Sequence, residues 1–244
     1  MDSWLDHSGR FFNPSPRVSA VPIAPGEFCI VIDEALANPE GLIDWATKQR
    51  FTPPDGFAYP GVLLDAPPAV TAMVADYFAE HVRSRLGGRR TLTTRVRLSL
   101  VTVPPHELHP PQWQCHRDRL GPLPQSLRLA AMVMYLFRDS ALGGTSFYRA
   151  LLSDEETERV IEDAGRMSAA EFSERYGLEA GYLNGSNRYF ERLAQVPAAW
   201  NRMLFYNSDL FHSGDIAAPA RLSADPRIGR LTLNGFFTCR RAAR

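Results

Sequence analysis

The spacing of apolar residues changes at Gly87-Gly88, and this change constrains the fold more than any other feature of the chain. Residues 67–86 carry apolar side chains at helical spacing, among them Val70, Val74 and Phe78. Residues 91–103 instead alternate between an apolar face (Leu92, Val96, Leu98, Leu100) and a polar one (Thr93, Arg95, Arg97, Ser99). We therefore predict helices before the glycine pair and a sheet-rich core after it.

The remaining elements follow from the same patterns. Residues 1–27 show no periodicity and predict an irregular lead-in, followed by a short buried strand at 28–32. Asn38-Pro39-Glu40 is typical of a helix start, and this helix should run to about Gln49. Further segments with strand character lie at 112–118, 128–137, 144–149, 202–206, 209–213 and 229–239.

Between residues 150 and 200 the pattern returns to helix. Ser153 and Ser168 each open a capping box, and Asn187 is the candidate cap of a third helix. These elements predict one domain over residues 1–244, mainly β with α. A strand and helices occupy 1–90, and a core over 91–239 carries a helical insertion at about 150–200. The insertion could be a lid over a substrate or padding outside the core, and the sequence favours neither.

Charge and composition exclude several classes of function. The 27 basic residues balance 27 acidic ones, so no global field attracts nucleic acid or an anionic membrane. Lys48 is the only lysine, which excludes a P-loop. No apolar run reaches 18 residues and the first ten residues do not resemble a signal peptide, so we expect neither membrane spanning nor secretion. The three cysteines are an odd number without a C-x-x-C pair, which favours a reducing compartment, and we expect a cytoplasmic protein.

Two of the six histidines stand in a context suited to metal binding. His116 and Asp118 are two residues apart in a predicted strand, so their side chains share one face. His212 comes 94 residues after Asp118, at the end of a later strand and before a Gly turn. Two imidazoles and one carboxylate form the facial arrangement that holds Fe(II) and leaves the opposite positions open. A lone His-x-Asp is a weak signal, because the same pair also occurs in solvated turns.

An arginine on the last predicted strand strengthens the signal. Arg230 and Thr232 lie on one face of an alternating segment that begins eighteen residues after His212. A guanidinium beside a hydroxyl suits the end of a dicarboxylate, because Arg can donate two parallel charge-assisted hydrogen bonds. Arg221 is the alternative anchor. We favour Arg230 because the residues after Arg221 include a proline, which a central strand does not tolerate.

In this order the landmarks resemble those of the iron(II)/2-oxoglutarate-dependent dioxygenases, and most of all the prolyl-4-hydroxylase-like branch. The landmarks, spread over about residues 91–239, are His116-Arg117-Asp118, Met134-Tyr135-Leu136-Phe137, Gly143-Gly144-Thr145, the segment 202–209, His212 and Arg230-Leu231-Thr232. Phe137 stands where that branch usually has Asn.

The resemblance implies a double-stranded β-helix (jelly-roll) core that binds Fe(II) through His116, Asp118 and His212. It also implies 2-oxoglutarate as cosubstrate, with its far carboxylate on Arg230 and with Thr232 and Tyr135 as hydroxyl partners, and O2 as oxidant. The expected reaction is hydroxylation of an unactivated C–H bond in a small molecule or a peptidyl side chain, with release of succinate and CO2. The aspartate at 118 favours hydroxylation over halogenation, because halogenases of this superfamily have a small residue in its place.

Two rival functions and several details stay open at this stage. The chain could be a non-catalytic jelly-roll binding module with a vestigial metal site, or a metal hydrolase that uses His116 and Asp118. The pair Arg95 and Arg97 could bind an acidic substrate group or border solvent, and we expect at most one of the two in the pocket. The substrate and the oligomeric state are not encoded in any recognisable pattern.

Overall fold

A computed structural model describes residues 3–56, 59–119 and 121–242. Most strands form one seven-stranded antiparallel sheet with the order β1-β2-β8-β5-β10-β4-β3. Its members are β1 (Arg17–Ala24), β2 (Glu27–Asp33), β3 (Gly61–Asp65), β4 (Gly88–Val101), β5 (Leu127–Tyr135), β8 (Arg202–Tyr206) and β10 (Arg230–Arg241). A second antiparallel sheet has the order β7-β6-β9, from β6 (Thr145–Ala150), β7 (Phe190–Val196) and β9 (Phe211–Gly214). The two sheets confirm the predicted mainly-β fold with a jelly-roll core.

The described ranges contain four α-helices beside the sheets. They are α1 (Pro39–Ala46), α2 (Pro68–Tyr77), α3 (Asp154–Arg166) and α4 (Ala169–Tyr176). The Asn38 side chain accepts a hydrogen bond from the Gly41 amide, as expected of a helix cap. No helix in the described part of the chain is long and apolar enough to cross a membrane.

The alternation predicted for β4 determines which side of the large sheet carries the main core. Val96, Leu98 and Leu100 are buried in a cluster with α1 and α2, which cover this face of the sheet. The opposite face of β4 carries Arg97 and Ser99 and points toward the second sheet. Because successive strand residues face opposite sides, one pattern supplies both a core and a polar interior surface.

Two sequence predictions about strands are wrong. Residues 1–27 are not wholly irregular, because β1 pairs with β2 along its length. Residues 61–65, which lie outside every strand predicted from the sequence, form the edge strand β3. Residues 112–118 are not a strand: Pro110–Trp113 form a 3₁₀ turn, since two consecutive prolines lack the amides that a ladder needs. Only His116 of this segment bridges to a strand.

The predicted helical insertion at about 150–200 is helical only as far as Tyr176. Asn187 does not cap a helix, although its side chain accepts from the Tyr189 and Phe190 amides. Residues 190–196 are the strand β7, paired with β6. The composition Phe-Glu-Arg-Leu-Ala-Gln-Val is compatible with helix, but pairing with β6 and burial of Phe190 and Val196 outweigh that weak preference. That residues 1–244 form a single domain stays a prediction.

Candidate functional site

A cavity of about 410 Å³ is lined by residues of both sheets. Its polar wall includes His116, Asp118, His212, Arg97, Gln114, Thr145, Arg230, Thr232 and Asn234. Apolar groups line the remainder, among them Val101, Ala131, Val133, Ile216 and Phe236. A mostly apolar cavity with a few convergent polar groups is typical of a small-molecule site.

The structure brings the three predicted metal ligands together in this cavity. His116 Nε2 lies 3.6 Å from Asp118 Oδ1, and His212 Nε2 lies 3.6 Å from Asp118 Oδ2. One potential ligand atom from each residue falls within 4.8 Å of the other two. The His212 side chain is only 6% exposed and that of Asp118 15%, whereas His116 is 58% exposed. The triad therefore has a buried side at His212 and an open side at His116.

Backbone pairing fixes the two histidines relative to each other. The amide of each donates to the carbonyl of the other at 2.9 Å, which places the His116 segment beside β9. The Asp118 amide donates to the Ser208 carbonyl at 3.0 Å. The two sequence-distant parts of the triad are thus joined by three main-chain hydrogen bonds, and the pairing explains why a His-x-Asp segment that is not a regular strand still presents both side chains to one cavity.

The surroundings of His212 select the tautomer that a metal ligand needs. Its Nδ1 lies 2.9 Å from the Leu210 carbonyl, which can only accept, so Nδ1 carries the proton and the Nε2 lone pair is free. Burial lowers the pKa of His212 to about 4, which keeps the imidazole neutral. Burial alone would raise the pKa of Asp118, but the neighbouring imidazoles of His212 and His116 and the Arg97 guanidinium hold it below its ordinary value. A neutral imidazole and an ionised carboxylate are the protonation states that bind a divalent cation.

Arg230 is buried in the same cavity, within a frame of carbonyl groups. Its Nε donates to the Leu142 carbonyl at 2.8 Å, and its Nη2 donates to the Gly144 carbonyl at 2.9 Å. Nη1 makes no hydrogen bond to any described residue. Phe137 stands 5.6 Å from the guanidinium, so the residue that replaces the usual Asn contacts Arg230 through its ring. Two of the three nitrogens of the guanidinium are held by backbone carbonyls, and Nη1 remains available to a ligand.

The Gly143-Gly144 pair makes this carbonyl frame possible. Gly143 has a φ of 82°, and a Cβ at this position would collide with the Asp215 carbonyl. A Cβ on Gly144 would collide with the Val196 carbonyl. Any larger residue would move the turn and with it the carbonyls that hold Arg230.

Arg221, the alternative anchor, lies elsewhere. It belongs to a short 3₁₀ turn, is mostly exposed and pairs with Asp139 at 2.9 Å. It lines a different surface cleft together with Trp200 and Arg138. Arg221 does not line the cavity that contains the triad.

The predicted hydroxyl partners of the cosubstrate occupy two different positions. Thr232 lines the cavity, and its hydroxyl lies 3.0 Å from that of Ser99 and accepts from Asn234. Tyr135 is fully buried behind Thr145, whose hydroxyl lies 2.8 Å from the Tyr135 hydroxyl. Thr145 lines the cavity and Tyr135 does not, so Tyr135 can act on a ligand only through Thr145.

Sequence reasoning missed Tyr59 and Asn234. The Tyr59 hydroxyl is buried without a hydrogen-bond partner among the described residues, and burial raises its pKa. Tyr59 precedes β3, a strand outside those predicted from the sequence, so no pattern pointed to it. Asn234 could have been found, because extending the alternation of Arg230 and Thr232 by two residues reaches it.

Together the fold and the site define a jelly-roll protein with a two-histidine, one-carboxylate cluster. A family model described as "Family of unknown function (DUF6445)" matches residues 14–237, so the chain belongs to that family. No curated protein matches the sequence.

Among solved structures the chain is similar to several proteins at low sequence identity. HygX from Streptomyces hygroscopicus, crystallised with nickel, 2-oxoglutarate and hygromycin B, is 13% identical with a TM-score of 0.45, over 87% of this chain and 82% of that one. A prolyl-4-hydroxylase from Pseudomonas putida is 14% identical with a TM-score of 0.38 over 100% of both chains. EvdO2 from Micromonospora carbonacea var. aurantiaca is 10% identical with a TM-score of 0.47, over 94% and 96%.

Proposed function

We propose that the chain is a non-haem Fe(II)- and 2-oxoglutarate-dependent oxygenase, built as one domain over residues 1–244. In this proposal it hydroxylates an unactivated C–H bond of a small molecule or an amino-acid side chain. The observation that supports it most is the convergence of His116, Asp118 and His212 in one cavity with the buried Arg230. The rival functions, a metal hydrolase or a vestigial binding module, give no reason for a buried guanidinium with a free donor in the same cavity.

The triad fits Fe(II) on its chemistry and on its unsatisfied atoms. The buried Asp118 Oδ2 has no hydrogen-bond partner among the described residues, which is costly for a carboxylate oxygen unless a cation binds it. Two imidazoles and one carboxylate on one side of an ion leave the opposite positions open, as non-haem iron oxygenases require. His116, Asp118 and His212 would hold the iron.

The opposite part of the cavity fits the distal carboxylate of 2-oxoglutarate. Nη1 of Arg230 makes no hydrogen bond to a described residue, and the Thr232 hydroxyl stands two residues further along the same face of β10. A guanidinium fixed by three carbonyls need not reorganise when a carboxylate binds, so its charge is available without a conformational cost. Thr145, backed by Tyr135, adds a hydroxyl that is itself held in place.

The residues of this chain would orient the bound iron and 2-oxoglutarate and exclude water from the reacting C–H bond. When bound, iron and 2-oxoglutarate supply the oxidising chemistry, and 2-oxoglutarate leaves as succinate and CO2. His116, Asp118 and His212 fix the orientation of the open side, while Arg230 fixes the far end of the cosubstrate. Val101, Ala131, Val133 and Phe236 form an apolar lining that keeps water away from the reacting C–H bond.

Oxygen-dependent conversion of 2-oxoglutarate to succinate tests the proposal. The purified protein, supplied with Fe(II), ascorbate and 2-oxoglutarate, should form succinate slowly in air and none under argon. His116→Ala and His212→Ala should each remove bound metal, measured by elemental analysis, while circular dichroism keeps its β-sheet signature. Succinate formation that persists in both variants, or its absence in the wild type despite bound metal, would contradict the assignment and favour the hydrolase or the binding module.

A further inference from the structure

Arg97 is one of the arginines that line the cavity of the proposed iron site. It lies on β4 directly opposite Asn234 of β10, and its guanidinium stands 4.8 Å from the Phe236 ring. Both of those neighbours line the cavity, as does Arg97 itself.

Unlike the other arginines that line the cavity, Arg97 has no polar partner among the described residues. Arg119 pairs with Asp209 at 2.8 Å and with Glu158 at 3.0 Å, and Arg117 lies 3.8 Å from Glu158. Arg230 is held by backbone carbonyls. The Nε of Arg97 is buried without a hydrogen-bond partner, and the guanidinium forms no ion pair within the described ranges.

The charges of the proposed complex leave this guanidinium uncompensated. The described residues that line the cavity include four arginines and one aspartate. The +2 charge of the iron and the −2 charge of 2-oxoglutarate cancel each other and leave that balance unchanged. Arg117 pairs with Glu158, and Arg119 pairs with Glu158 and Asp209. In the proposed complex, 2-oxoglutarate pairs with Arg230. A partly buried cation with an unsatisfied Nε favours an anionic ligand, because burial weakens its hydration.

Arg97 and Arg230 occupy different positions along β10 and have different surroundings. The β10 residue opposite Arg97 is four positions from Arg230, or about 13 Å along the strand at roughly 3.3 Å per residue. The Arg230 guanidinium is held by the Leu142 and Gly144 carbonyls, whereas that of Arg97 stands 4.8 Å from the Phe236 ring. An anion on Arg97 that is separate from the cosubstrate carboxylate is therefore what the inference requires, and the 2-oxoglutarate signal of Arg97→Gln tests it.

We propose that the substrate carries a carboxylate and that Arg97 binds it; this inference rests on the proposed function. An Nε–Nη edge presents two parallel donors, which match the two oxygens of a planar carboxylate. A phosphate is less suitable, because one free guanidinium would leave part of its double charge without a partner. Phe236 and Tyr182, which also line the cavity, would contact the apolar body of such an acid.

Matched acids and amides test this proposal. The probes are phenylacetate, butyrate and L-proline, each beside its amide, added to protein loaded with Zn(II) and 2-oxoglutarate. Saturation-transfer difference NMR gives the affinity of each probe and reports bound 2-oxoglutarate at the same time. In the wild type we expect at least one acid to bind about 10- to 100-fold more tightly than its amide, the range of a charge-assisted pair. Arg97→Gln should abolish the preference, and Arg97→Lys should keep part of it.

Arg95→Gln is the matched control. Arg95 lies two residues away on the same strand, is exposed, and pairs with Asp65 at 3.4 Å, so this variant should keep the wild-type preference. The proposal is overturned if no acid binds better than its amide, if the preference survives in Arg97→Gln, or if that variant loses the 2-oxoglutarate signal, which would place Arg97 in the cosubstrate site.

The same comparison on metal-free protein separates this inference from the proposed function. If the wild type fails to bind Zn(II) and 2-oxoglutarate, the oxygenase assignment fails. An Arg97-dependent preference for acids in that case would still identify a carboxylate site.

Discussion

Arg119 donates a hydrogen bond to Glu158 at 3.0 Å and so joins the residue after Asp118, a proposed metal ligand, to helix α3. Arg117, on the other side of Asp118, lies 3.8 Å from the same carboxylate and packs its guanidinium 4.0 Å from the Phe211 ring. One glutamate of the insertion therefore contacts both neighbours of Asp118. Groups that orient a metal ligand usually affect metal affinity although they never touch the ion.

We expect Glu158→Gln to weaken metal binding roughly tenfold while the fold is kept, because two guanidinium groups lose their shared anion. Titration with Mn(II), followed by electron paramagnetic resonance, measures the affinity. Glu155→Gln is the control, since Glu155 sits one turn earlier on α3, is 86% exposed and pairs only with Arg159. Equal metal affinity in Glu158→Gln and the wild type would show that the contact is not transmitted to Asp118.

The parts of this site that the sequence predicted depend on local alternation. Arg230 and Thr232 were assigned to one face of a strand, and both line the cavity. In the segment 112–118, strand alternation places Gln112 and Gln114 on the side of His116. Both glutamines do line the cavity, while Trp113 and Cys115 between them are buried in apolar clusters. This holds although the segment is not a regular strand, since its pairing with His212 sets the direction of the side chains.

The parts that the sequence did not predict depend on pairing between distant segments. Tyr59 reaches the cavity because β3 pairs with β4, and nothing within the Pro/Gly-rich stretch around it encodes that partner. The strand β7 has a composition compatible with helix and becomes a strand because β6 offers it an edge. Pairing of this kind is a property of the whole fold, so a single sequence carries no local signal for it.

Alanine substitution of the two candidate anchor arginines should change the affinity for 2-oxoglutarate by unequal amounts. Arg230→Ala should weaken 2-oxoglutarate binding by about 30-fold or more, because a desolvated carboxylate loses its charged partner. Arg221→Ala should leave the affinity unchanged, since Arg221 lines a different cleft and pairs with Asp139. Calorimetric titration of 2-oxoglutarate into Mn(II)-loaded protein measures both. Arg230→Lys keeps the charge with less disturbance of the carbonyl frame and should retain part of the affinity. The opposite ranking would move the anchor to Arg221.

The three thiols should be unreactive in the native protein. Cys29, Cys115 and Cys239 are all free and buried. Burial raises the pKa of Cys29 to about 12 and also raises the pKa of Cys115 and Cys239. Because the thiolate is the reactive form, almost none is present at pH 8. Ellman's reagent should therefore detect no thiol in the native protein at pH 8 and three per chain in guanidinium. Rapid labelling of the native protein would indicate that one of these sites opens to solvent.

The helices of the insertion pack against the segment that precedes His116, which gives a test of their role. Phe172 of α4 is fully buried and meets the Trp113 ring edge-on, with centroids 5.8 Å apart. Tyr182, in the chain after α4, donates to the Val103 carbonyl at 2.6 Å and lines the cavity. The insertion thus supports the His116 segment and supplies one wall residue, so deletion of 166–186 would disturb both roles at once.

Single substitutions separate these two roles. Phe172→Ala should lower the free energy of unfolding by about 3 kcal/mol and also weaken metal binding, because the cavity it leaves loosens Trp113. Tyr182→Ala should keep metal and 2-oxoglutarate affinity near the wild-type values and alter only the binding of substrate-like probes. Urea denaturation and metal titration measure the first effect, with Ile161→Ala, an exposed apolar residue of α3, as the control. If Phe172→Ala loses stability but binds metal like the wild type, the insertion is padding that does not position the triad.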